Sequence, residues 1–236
     1  MDALLAAVVV VTLVVTTAAA VRARRSGQPL GVGIRGVRAA RSIGTGLAVA
    51  AVGMAVTTGL MVITGVAHVD GLGFAPGVLL LGALVFTLSG YAEEILFRAL
   101  MLGGLVRLTG RPWLALALMA LSVGAFHLAT TSHTTALSVI SSTLGGVMYG
   151  VAFLRTGTIW LGLGVHIGWN WFQGTILGFT VSGTDDYSGA LLEVHTTGAD
   201  WLSGGDYGPE GSVLSLVGRL VIIGLVVAVT SAPRRP

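Results

Sequence analysis

The sequence predicts an all-α protein, a bundle of about seven transmembrane helices. Three observations carry this. Hydrophobic residues make up 54% of the chain and charged residues only 10%, the mean hydropathy is +0.89, and the apolar residues fall into runs of roughly 20, the length that crosses a bilayer. A soluble domain needs roughly 25% charged residues to cover its surface, so lipid is the expected solvent for these 236 residues.

Expected spans run near Ala3 to Val21, Ile43 to Val66, Pro76 to Leu108, Trp113 to Thr130, Thr135 to Leu154, Thr158 to Phe179 and Val213 to Val229. The first lacks a basic segment before it and is followed by Arg22, Arg24 and Arg25, which favours a retained helix over a cleaved signal peptide. No internal repeat or soluble domain is visible. A single integral membrane domain over residues 1–236 is expected, with its motif-bearing core near 77–177.

Arginine orients the spans. All 13 basic residues are Arg. Arg22, Arg24, Arg25, Arg35, Arg38 and Arg41 fill the first connection, Arg107 and Arg111 the third, Arg155 the fifth, and Arg234 and Arg235 the tail. Alternate basic loops follow the positive-inside rule. They put the amino terminus outside and the carboxyl terminus in the cytoplasm, in the cell membrane if the chain is bacterial. The net charge of +3 is too small and too dispersed for a nucleic-acid face. The expected partners are the bilayer and a membrane-associated peptide or protein. Absence of cysteine excludes disulfides, a thiol nucleophile and thiolate-held metal.

Gly146 and Gly150 have the small-xxx-small spacing that lets helices approach closely in lipid. The hydrophilic connection from Thr180 to Gly211, with Tyr187, Trp201 and Tyr207 among its acids and glycines, reads as an external loop whose aromatics touch the interface. No chemistry is assigned to it. Arg219, alone on the last span, is free either to snorkel or to pair with an acid, and is given no role.

Ionisable residues inside apolar spans are costly, at roughly 2.5 to 3.5 kcal/mol for a charge near a helix centre, and they mark functional sites. The third span holds Glu93, Glu94 and Arg98 within six residues. Glu94 and Arg98, four apart, share a helix face and can neutralise each other as an internal brace. Glu93 points about 100° away and is the free carboxylate, a candidate general base. His127 lies late in the fourth span and His166 early in the sixth, with Asn170 four residues on and facing the same locus. His68, His133 and His195 fall in connections and are set aside.

At these residues the chain resembles a family. The run Glu93-Glu94-Ile95-Leu96-Phe97-Arg98 is similar to the EExxxR motif of the CPBP intramembrane proteases. That group holds the type II CAAX prenyl endopeptidases and the bacterial bacteriocin-processing or self-immunity (Abi) proteins. A later His, His127, and an HxxxN at His166 to Asn170 follow in the family's order. One departure stands out: the family pattern before the second-motif His is FxxxH, and here Val123 occupies the aromatic position, with Phe126 beside His127.

The resemblance implies proteolysis within the membrane, with Glu93 and His127 activating a water and His166 with Asn170 holding the oxyanion. The same two histidines with Glu93 could instead hold a divalent metal such as zinc. The absence of HExxH leans away from that arrangement, and both stay open. A rhomboid-like serine protease needs GxSG and a presenilin-like aspartyl protease needs two intramembrane Asp; the chain has neither. Two other classes remain as alternatives: a non-catalytic scaffold or self-immunity protein that keeps the motifs, and a small proton-coupled transporter using Glu93 and His127 as a relay. A transporter would more often show two similar halves.

Overall fold

A computed structural model describes residues 39–231. The expected first span, the arginines up to Arg38, and Arg234 and Arg235 lie outside the described residues. Among those described, five helices are long and apolar enough to cross a membrane: α1 (Ala39–Ile63), α2 (Pro76–Thr109), α3 (Pro112–Thr130), α4 (Ala136–Thr156) and α6 (Val213–Ser231). Between the last two lies α5 (Trp160–Asn170), 11 residues continued by a six-residue π-helix, Trp171–Ile176. The chain is an all-α bundle of an integral membrane protein, as expected.

Local chemistry sets the helix ends. Pro76 and Pro112 open α2 and α3, at the first-turn positions where a missing N–H has no consequence. Thr135 and Ser138 form a reciprocal capping box at the start of α4. Gly110 and Gly157, at φ 66° and 69°, close α2 and α4 in the left-handed conformation.

Helix α5 and its π-helical continuation cover Trp160–Ile176 of the span expected from Thr158 to Phe179, and α5 itself is interior. Every residue from Leu161 to Trp169 is buried, as for a helix apolar on all sides. The segment that carries His166 and Asn170 is thus held by neighbours all round. The glycine pair read from sequence serves α3: a Cβ on Gly146 would sit 2.9 Å from Ala120 Cα, and one on Gly150 would strike Leu116. Helices α3 and α4 meet there.

Two features were not expected. Strands β1 (Ala67–Leu72) and β2 (Leu192–Thr196) pair antiparallel, joining the α1–α2 connection to the α5–α6 connection. The α5–α6 connection is also no simple external loop. Trp201 is exposed, but Tyr207 is 1% exposed and its hydroxyl reaches Ser142 of α4 at 3.5 Å. The connection folds back into the bundle because it has buried partners there, described below.

At the opposite end of the bundle, Arg155 donates to Ser231 Oγ at 2.6 Å and to Thr230 Oγ1. This ties the end of α4 to the end of α6. Arg41, Thr156 and Thr230 line one cavity there, so the ends of α1 and α4 that carry Arg41 and Arg155 meet the carboxyl end of α6 on one side.

Candidate active site

Helix α2 leaves the α-helical path at its acidic motif. From Glu94 to Leu102 it is a π-helix, the wider i→i+5 turn that recurs at functional sites. The second π-helix begins directly after Asn170. The first irregular stretch therefore contains Glu94 and Arg98, and the second flanks Asn170.

Glu94 and Arg98 are fully buried and pair at 3.3 Å, Arg98 Nη1 to Glu94 Oε1. The pairing read from sequence is present, although on π rather than α geometry. It has a third member: His166 Nδ1 also lies 3.3 Å from Glu94 Oε1. The Arg98 contact is one of charge, since none of its guanidinium nitrogens has a directed hydrogen bond among the described residues. The Tyr149 ring, 4.8 Å from the guanidinium carbon, covers the cation.

His166 is fixed on three sides. Its ring stacks on Tyr149, with centroids 4.5 Å apart and planes at 15°. Nδ1 faces Glu94, and Nε2 lies 3.9 Å from Glu93 Oε2. Glu93 is the more accessible acid, its side chain 25% exposed where that of Glu94 is 0%. His127 Nδ1 meets the backbone oxygen of Val123 at 3.0 Å. A carbonyl only accepts, so Nδ1 is the donor and, in the neutral ring, Nε2 carries the free lone pair.

A cavity of about 270 Å³ is lined by Glu93, Arg98, His127, His166 and Asn170. Glu94 stands behind His166 and Arg98. Residues from α2, α3 and α5 that are far apart in sequence thus meet in one chamber. Its apolar wall includes Phe86, Val123 and Phe126. Phe126 packs edge-on against Phe97 at 5.4 Å and against His127 at 5.7 Å, so an aromatic stands beside the histidine, three residues after the position where the FxxxH pattern puts it.

Two residues given no role from sequence also line this cavity. Arg219 of α6 and Glu210, just before α6, form a buried ion pair at 2.9 Å. Glu210 accepts four hydrogen bonds: Oε1 from Trp169 Nε1 (2.9 Å) and Arg219 Nη2 (2.9 Å), and Oε2 from Ser182 N (3.0 Å) and Ser182 Oγ (2.7 Å). Burial pushes the Glu210 carboxyl up. Arg219, the Ser182 hydrogen bond, His127 and Trp169 outweigh it and hold the group below the ordinary carboxylate value. Burial, then the Glu210 charge, raise the Tyr207 phenol. The sequence signal was present: an unpaired Arg inside a span demands a partner.

Among the described residues no three His, Asp or Glu side chains stand close enough together to hold one ion. Both nitrogens of His166 face carboxylates, and His127 offers only Nε2, with no second and third donor gathered beside it among the described residues. The residues present do not fit the two-His, one-carboxylate zinc site.

Fold and cavity together define a polytopic helical membrane protein with an acid–histidine centre inside its bundle. Residues 75–172 match the family model described as type II CAAX prenyl endopeptidase Rce1-like. The match bears out the resemblance read from the motifs and spans all three of them. No curated protein and no solved structure matches the chain.

Proposed function

We propose that the chain is an intramembrane endopeptidase that hydrolyses a membrane-associated peptide or protein, using Glu93 and His127 to activate water. The observation that carries this reading is the single cavity lined by Glu93, His127, His166 and Asn170. The family match over residues 75–172 supports the same reaction class.

The chemistry follows from the donors and acceptors. Glu93, the accessible carboxylate, takes a proton from water as hydroxide adds to the scissile carbonyl carbon. His127, with Nδ1 donating to Val123 O, offers Nε2 to the same water. The oxygen that becomes negative is received by the amide N–H of Asn170 and by His166. Nδ1 of His166 faces Glu94, which leaves Nε2, beside Glu93, as the ring nitrogen available to the oxyanion. Collapse of the tetrahedral species breaks the C–N bond, and the proton held by Glu93 goes to the leaving amine. Glu94 and Arg98 orient His166 and touch no reacting atom.

The arginine pattern supports a cytoplasmic carboxyl terminus, with the α5–α6 connection outside. The test is cleavage of a membrane-peptide library by purified protein in proteoliposomes. Wild type should cleave and Glu93→Gln should not; a wild type inert toward every peptide would favour the scaffold reading. A chelator should leave the rate unchanged, and a loss that added zinc restores would overturn the metal-free mechanism.

A further inference from the structure

The cavity has one wall that the motif helices do not supply. Val181, Ser182, Thr184 and Glu210, all from the connection after α5, line it. Val181 and Thr184 bridge each other through two hydrogen bonds, 2.8 and 3.0 Å. The intervening Ser182 and Gly183 have φ of 50° and 82°, the two left-handed residues of a type I′ turn. The tip of this tight turn therefore stands over the chamber. Ser182 is an unfavourable residue for that conformation, and its N–H and hydroxyl both go to Glu210.

We propose that Glu210, held by Arg219, is a clamp that keeps the connection 178–212 shut over the cavity as its roof. This ion pair then governs how water-soluble molecules reach Glu93, His127, His166 and Asn170 from that end. The inference goes beyond the proposed reaction and does not depend on it.

Glu210 ties three separate pieces of chain: the turn at Ser182, α5 at Trp169, and α6 at Arg219. The site is built for the guanidinium. A Cβ on Gly145 would collide with Arg219 Nη1, and the guanidinium carbon lies 4.6 Å from the Trp169 ring centroid. Arg219 Nε is buried without a hydrogen-bond partner among the described residues, so the cation's placement rests on Glu210 and Trp169. Four donors converge on two carboxylate oxygens, a set that only the ionised acid can receive. A glutamine there keeps one acceptor oxygen and turns an NH2 toward donors it cannot serve. An ordinary solvated loop would need none of this.

The chain's lack of cysteine makes the roof directly testable. Ser142 lines the cavity, is 5% exposed and lies under Tyr207. In full-length protein in lipid nanodiscs, Ser142→Cys should react slowly with a charged, membrane-impermeant maleimide. Adding Glu210→Gln should speed labelling by about tenfold or more, the factor expected when one charge-assisted hydrogen bond is lost from a closed state. Ser182→Gly removes only the hydroxyl bond and suits the positive φ, so it should give a smaller rise. It carries the test if Glu210→Gln does not fold. Fast labelling of Ser142→Cys alone, or unchanged labelling in the folded variants, overturns the proposal. No peptide hydrolysis is read, so the outcome stands apart from that of the enzymatic reading.

Discussion

His166 Nδ1 and Glu94 Oε1 lie 3.3 Å apart, and the same carboxylate oxygen lies 3.3 Å from Arg98 Nη1. One buried acid therefore serves a cation on its own helix and an imidazole on α5. Removing Arg98 leaves that acid with the imidazole alone in a low-dielectric bundle. Arg98→Ala should cost on the order of 3 to 5 kcal/mol, as for a broken buried pair. The measurement is the thermal midpoint and the folded yield in detergent. A midpoint equal to wild type would show that the pair does not hold the fold.

Glu93 has no ion-pair partner on its own helix, and its nearest cationic candidate is His166 Nε2 at 3.9 Å. Glu93→Gln keeps the shape and removes a charge from the apolar interior, so the thermal midpoint should hold or rise. The hydrolytic rate should fall at least ~10²-fold, the lower end of a general-base contribution. Both readings come from one preparation. A parallel loss of stability and rate would mark Glu93 as structural, and full activity would falsify its assignment as the base.

The legible part of the molecule was whatever a one-dimensional pattern encodes. Apolar run length gave α1 to α4 and α6, because bilayer thickness fixes helix length. Four-residue spacing gave Glu94 with Arg98 and His166 with Asn170. The contact of His166 with Glu94 was not legible, since nothing in either span names the facing helix. Nor was the π-helix at Glu94, as no composition rule separates it from α. Glu210 was hidden for a different reason: it sits among the other acids of a polar connection, where solvated surface is the default reading. Arg219 held the clue, but several acids in that connection were equally eligible partners until the fold chose one.

Glu210 makes the acid limb of stability specific. Its folded value lies below the ordinary one of about 4.3. A depressed carboxylate adds stability above the unfolded value and loses it as pH falls through the folded one. Wild type should therefore keep a steady midpoint, as far as this group matters, down to about pH 5, and lose stability steeply below the ordinary carboxylate range. Glu210→Gln should begin lower and decline less. The difference between the two melting curves isolates this carboxylate from the others, and a constant difference at every pH would mean that folding does not lower the Glu210 pKa.

Val123 gives the last prediction. Its side chain lines the cavity on the helix that carries His127, one turn before it, and its backbone oxygen fixes the His127 tautomer. A phenylalanine there leaves that backbone bond intact and directs a ring into the chamber. In a close-packed core such an insertion destabilises by about 1 to 3 kcal/mol; here the chamber of about 270 Å³ offers the ring space. Val123→Phe should thus melt near wild type while narrowing the room next to Phe126 and His127. Peptides with small side chains at the scissile bond should keep their kcat, whereas bulky ones should show a raised KM and then no turnover. The check is a substrate series graded by side-chain size, with both parameters measured for each. Equal losses across the series, together with a lowered melting point, would show that the ring distorts the helix instead of filling the cavity.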